Sequence, residues 1–146
     1  MTLIEKVKNG EKCSEIEKIA EQENVSVNKI IEGLLNGKIV IPHNKNHTSL
    51  KKFMGIGEGL TVKVNANIGT SFGYDDFGYE KEKFNTAKAV GANSVMLLST
   101  WGNLDEQREF IIENSDIPVG TVPIYDAAVI SYQEKRMLLI SAKKIS

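Results

Sequence analysis

Asn67, Met96 and Tyr125 fall in three separate segments, NANIGTS, MLLSTWG and TVPIY. They stand at equal intervals, 29 residues from the first to the second and 29 from the second to the third. An amide, a thioether and a phenol brought to one rim can hold a small polar heterocycle. The amide donates and accepts, the thioether packs against a ring, and the phenol hydroxyl fixes orientation. This is a binding set, with no acid–base pair and no activated nucleophile in it. Each residue also has a structural role open to it. Asn67 can turn the chain at a strand end, Met96 can fill a core, and Tyr125 can cover a barrel rim.

The elements that must position these residues begin near residue 55. Val62, Val64, Ala66 and Ile68 suit a buried strand ending at Gly69, and TSFGYDDFGYE reads as a loop in which Asp75 and Asp76 are solvated. KEKFNTAKAVGAN predicts a helix stopped by Gly91, SVMLLS a short buried strand, and LDEQREFIIENS a helix with Asp105 and Glu106 in its first turn. IPVGTVPIY predicts a third strand with prolines at its borders. The order β-α-β-α-β calls for parallel strands. Since a βα unit of a barrel uses roughly 30 residues, the 29-residue steps predict equivalent heights for Asn67, Met96 and Tyr125 around one sheet.

The preceding residues predict short helices. Ser14 with Glu17 has the spacing of a capping box, and Ser26 caps a second helix carrying Val27, Ile30, Ile31, Leu34 and Leu35, with Gly37 just past its end. His43 and His47 are four apart, a metal-binding spacing on a helix, but they lie in the polar loop HNKNHTS and read as solvated. GIGEG is a weak phosphate-cradle signal because no helix follows it. The expected organisation is a helical region at 1–54, three β/α units at 55–130, and a tail at 131–146.

Eighteen basic and nineteen acidic residues leave a net charge of −1, which argues against a nucleic-acid partner. No apolar run approaches the ~20 residues of a membrane span, and the charged N-terminus has no signal-peptide core. The single cysteine, Cys13, reads as an ordinary partly buried thiol that can form no internal disulfide, so the expected compartment is the cytoplasm.

VKVNANIGTS, GANSVMLLST and NSDIPVGTVPIYDA, at these separations, resemble the phosphomethylpyrimidine synthase family, and NGKIVIPHNKNH and GIGEGL extend the resemblance over about residues 1–130. Members of that family are radical S-adenosylmethionine (SAM) enzymes on a TIM-like barrel that convert aminoimidazole ribotide to hydroxymethylpyrimidine phosphate in thiamine biosynthesis. The resemblance implies an α/β chain made of a helical N-terminal appendage and the first three β/α units of an incomplete TIM-like barrel. It also implies that Asn67, Met96 and Tyr125 are substrate contacts for the ribotide. The family uses a [4Fe–4S] cluster, SAM and zinc. The cysteine motif, zinc histidines and further substrate residues have no counterpart in these 146 residues, and one cysteine cannot hold a cluster. The chain is therefore expected to bind none of these cofactors and to be inactive alone.

Two positions depart from the family's Met-Asp-Leu-Ser-Thr-Gly-Gly: Leu97 takes the acidic place and Trp101 the first glycine. A fragment of the 5-hydroxybenzimidazole synthase paralogue, a non-catalytic ribotide-binding module, and a half-enzyme completed by another chain all remain open. The tail QEKRMLLISAKKIS does not predict the helix due after the third strand, as a frameshifted end would not. Three strands of a barrel expose an edge, so self-association or a complementing chain is the expected partner.

Overall fold

The computed structural model describes the backbone of residues 1–145, with side chains described except for Gln133 and residues 136–145. The tail expectation for 131–146 therefore falls mostly outside the described side chains. The chain divides into two compact units, one of residues 1–64 with 115–118, the other of residues 65–114 with 119–146.

The first unit packs three helices, α1 (Leu3–Lys8), α2 (Ser14–Gln22) and α3 (Val27–Leu35). Ile16, Ile19 and Ala20 of α2 and Ile30 and Leu34 of α3 recur at helical spacing, and all are buried in one cluster with Val7 and Ile39. Ser26 caps α3 by accepting from the Lys29 amide at 3.2 Å. The capping box lies at Thr2–Glu5, however, not at Ser14–Glu17. Ser14 is already inside α2 behind Cys13, which makes no side-chain cap. After α3, Gly37 adopts φ +68° and lets the chain turn into β1 (Ile39–Val40), which pairs antiparallel with β2 (Ile56–Gly57). His47 is buried rather than solvated. Its Nε2 lies 2.8 Å from the Ser115 carbonyl, and because a carbonyl only accepts, Nε2 carries the proton.

Glu23 ties the end of this unit back to α2. Its carboxylate accepts from the Thr61 amide at 2.7 Å and meets the Lys63 ammonium at 2.7 Å. Burial pushes the carboxyl up, but the bonds from Lys63 and Thr61 outweigh it and hold the group below its ordinary value. A carboxyl lowered on folding stabilises fully above its unfolded value and loses that contribution as pH falls through the folded one. Glu23→Gln is therefore expected to cost about 1–2 kcal/mol near neutral pH, and the difference from the parent should close in acid. Paired urea melts across the acid range measure it; a gap that widens in acid contradicts this assignment.

The second unit is a parallel sheet with helical crossovers. β3 (Asn65–Ile68), β4 (Ser94–Leu97) and β5 (Val119–Thr121) lie in the order β3-β4-β5, all parallel. α4 (Phe77–Ala89) links β3 to β4, α5 (Leu104–Asn114) links β4 to β5, and α6 (Pro123–Ile145) follows β5. Alternation divides the sheet into two faces. Ile68, Val95 and Leu97 are buried, as are Phe84 of α4 and Ile111 of α5, so apolar side chains make the core of this unit. The other face carries Asn65, Asn67, Ser94 and Met96.

Three sequence expectations change here. β3 begins at Asn65, and Val62 and Val64 are exposed instead of buried in a strand. α4 begins at Phe77 because Asp76 caps it, its carboxylate accepting from the Tyr79 amide at 3.2 Å. β5 ends at Thr121, and Pro123 opens α6, whose backbone stays helical to Ile145 where the sequence pattern predicts no helix. Proline suits the first helical position, since the amide it lacks would have no partner there.

Candidate functional site

In a parallel ladder, residues paired across neighbouring strands point to the same face. Asn67 pairs with Met96, and Met96 with Gly120, so the three form one row across the sheet. The equal height expected for Asn67 and Met96 is what the register gives. Gly120 shapes the row further: a Cβ there would lie 2.7 Å from Met96 Cε and 2.8 Å from its Sδ. The Met96 thioether therefore lies over the third strand in the space a side chain would fill. Tyr125 is not in this row. It stands on the first turn of α6, beyond the end of β5.

A second row of polar groups orients the amide of Asn67. Asn65, two residues back on the same face, donates from Nδ2 to Asn67 Oδ1 at 2.9 Å, and its own Oδ1 accepts from Ser94 Oγ at 2.8 Å. With its oxygen engaged, Asn67 presents Nδ2 as the donor to whatever lies over the sheet. Asn67 is exposed and Met96 half-buried, the accessibility expected of groups that meet a ligand.

Beyond the strand ends the chain forms a buried polar rim that the sequence did not signal. Gly69 donates its amide to Glu80 Oε2 at 2.7 Å, although Glu80 lies inside the unit on α4, where it also pairs with Lys83. Thr70, 1% exposed, donates from Oγ1 to the Trp101 carbonyl at 2.6 Å, and Gln107 Nε2 donates to the same oxygen at 3.1 Å. Ser99 Oγ accepts from the Thr70 amide at 3.2 Å. Arg108 of α5 pairs with Asp126 of α6 and with Asp105. A cleft of about 200 Å³ opens beside this pair, lined by Gly102 to Asp105, Arg108, Asp126, Val129 and Ile130. A second, of about 250 Å³, is lined by Thr100, Trp101, Tyr125, Ala128, Val129 and Tyr132.

The two departures from the family pattern have different consequences. Leu97 pairs with Ile68 and Thr121 and is buried, on a small cavity that it lines with Ser99, Leu104, Thr121 and the Arg108–Asp126 pair. Trp101 lies on the rim, edge-to-face with Phe72 at 4.9 Å, and lines the second cleft.

The side chains do not fit an iron–sulfur cluster or a zinc ion. Cys13 is the sole thiol, it is buried, and burial together with the nearby Glu15 pushes it up, away from the thiolate a cluster needs. His43 packs against Phe53 and His47 is engaged by Ser115. Among the described residues no group of three or more His, Cys, Asp or Glu side chains is placed to hold a metal. No described helix is long and apolar enough to cross a membrane.

A family model described as "Radical SAM ThiC family" matches residues 2–146, a span that includes residues 131–146. The phosphomethylpyrimidine synthase of Thermotoga neapolitana is 47% identical over 144 residues, which are 99% of this chain and 34% of that protein. That of Thermus thermophilus is 46% identical over 145 residues, 99% of this chain and 33% of the relative. That of a Thermoanaerobacter species is 50% identical over 129 residues, 88% of this chain and 30% of the relative. The chain thus spans about a third of the length of the curated relatives it matches.

Proposed function

The chain belongs to the radical SAM ThiC family, and on that premise we propose that the sheet-bearing unit, through residues 65–114 and 119–132, forms one wall of a ribotide-binding site in a phosphomethylpyrimidine synthase. The α/β unit with its three parallel strands is then the opening part of a TIM-like barrel, in which side chains at the C-terminal strand ends meet the ligand. Asn67 and Met96 contact aminoimidazole ribotide from the sheet, and Tyr125 does so from the first turn of α6. The reading carries with it a role in thiamine biosynthesis and a cytoplasmic setting for this chain. The paralogous benzimidazole synthases use the same ribotide, so the proposal concerns the substrate rather than the product.

The observation that carries it is the row formed by Asn67, Met96 and Gly120. A side chain at 120 would displace the thioether, and Asn65 sets the amide with its donor outward. A core-filling methionine needs neither an oriented amide beside it nor a polar, accessible face.

Isothermal calorimetry of the 146-residue chain with aminoimidazole ribotide tests this. Binding heat is expected, and Asn67→Ala should weaken the affinity by about tenfold, the size of one lost ligand hydrogen bond. Equal affinity in parent and variant removes Asn67 from the site, and absence of heat defeats the proposal.

A further inference from the structure

One wall of the cleft lined by Thr100, Trp101, Tyr125, Ala128, Val129 and Tyr132 is anchored by buried hydrogen bonds. The Trp101 carbonyl accepts from two side chains at once, Thr70 Oγ1 at 2.6 Å and Gln107 Nε2 at 3.1 Å. Both donors are almost fully buried, at 1% and 3% exposure. Two buried donors on one oxygen, with Thr70 Oγ1 also 3.0 Å from Gln107 Oε1, hold the backbone of Trp101 in one connected buried network. Phe72 then braces the indole edge-to-face, with ring centroids 4.9 Å apart, from outside the cleft.

We propose that Trp101 and Tyr125 form an aromatic slot that takes the flat nitrogen heterocycle of the ligand, which makes Trp101 a specificity-determining residue. This rests on the ribotide reading above and adds to it which group of the ribotide sits where. The lining is aromatic, small and apolar apart from hydroxyls and has no cationic side chain, so it suits the uncharged flat ring and leaves the anionic ribose phosphate outside the slot. A planar heteroaromatic ring gains stacking on aromatic faces as well as apolar burial, whereas an aliphatic ligand gains burial alone. The hydroxyls of Tyr125 and Tyr132 supply polar points for ring nitrogens or an exocyclic amine. A wall already held by Thr70, Gln107 and Phe72 loses little freedom when the ring arrives. Flexible aliphatic residues in the same place would have to be ordered first.

Trp101 is the single tryptophan of the sequence, so indole emission reports on this slot alone. The unmodified chain is titrated with aminoimidazole ribotide while heat and indole emission are followed in parallel, with ribose 5-phosphate as the ligand that lacks a ring. The expected result is a saturable emission change whose midpoint matches the heat, and none with ribose 5-phosphate. By calorimetry, Trp101→Ala should weaken ribotide binding about tenfold or more and Trp101→Phe should recover most of it. Heat without an emission change, with Trp101→Phe and Trp101→Ala binding as the parent does, overturns the slot and leaves the ribotide reading standing. An emission change that ribose 5-phosphate reproduces also overturns it, since the ring is then not what the slot recognises. Absence of both heat and emission change removes the ribotide reading and the slot with it.

Discussion

Phe84→Ala is expected to lower the stability of the sheet-bearing unit by about 3–5 kcal/mol, the cost of deleting a fully buried aromatic ring. Phe84 is 0% exposed on α4, in a core that also holds Val95 of β4 and Ile111 of α5. Strands as short as three and four residues have few ladder bonds of their own, so their order depends on the helices that cover them. Removing the ring takes away transfer free energy and leaves a cavity that a sheet and two helices cannot close without moving. Urea unfolding of parent and variant measures the difference. Phe84→Leu keeps most of the volume and should cost about 1.5 kcal/mol or less. Equal losses for leucine and alanine would show that ring shape, not filled volume, sets the stability here.

The expected loss is large because α4 has almost nothing else to bury. Its sequence, FGYEKEKFNTAKA, has no apolar stripe, and only Glu80 and Phe84, one turn apart, are buried on it. That is also why its start was illegible. A glutamate inside a unit runs against the usual exposure of that residue, and only the structure reveals its partner, the Gly69 amide. The Asp76 cap was in principle readable, since an aspartate three residues before an amide-rich turn is a strong start signal, but Gly73, Tyr74 and Gly78 around it resemble a loop. Where the periodicity was strong, as in α3 with Ile30 and Leu34, position and cap were both legible.

Of the candidate site, the strand pair was legible and the helix was not. The 29-residue step from Asn67 to Met96 matched one strand-helix-strand circuit, and the ladder pairs them. The second equal step was a coincidence of length. Gly120 occupies the third place in the row, and the chain enters α6 at Pro123 before reaching Tyr125. Proline two residues before the tyrosine could signal a first helical turn as well as a strand border, and the sequence alone gave no means to choose. Thr70, Ser99 and Gln107 were missed for a different reason. Each is an unremarkable polar residue until the fold removes it from water and sets it against the strand ends.

Gly69→Ala should be the most damaging change at the rim itself, costing about 3 kcal/mol or more. Two effects coincide there. Gly69 has φ +146°, a conformation that side chains with a Cβ rarely adopt, which alone costs on the order of 1–3 kcal/mol. A Cβ at this position would also lie 2.5 Å from the Ser99 amide nitrogen and 2.7 Å from the Leu98 carbonyl carbon. These are backbone atoms of the neighbouring strand segment, so no side-chain rotation relieves the overlap. The Leu98 amide donates to the Ile68 carbonyl at 2.7 Å and the Thr100 amide to the Thr70 carbonyl at 2.8 Å, bonds that hold the two segments together on both sides of the glycine. Pushing them apart would loosen Thr70 and, through it, the Trp101 carbonyl it holds. Glu80→Gln separates the glycine's conformational role from its hydrogen bond. The amide oxygen can still accept from Gly69, so this variant should lose far less stability than Gly69→Ala. If Glu80→Gln proves as costly, the carboxylate and its pairing with Lys83, rather than the close passage of the two strand ends, are what hold the rim.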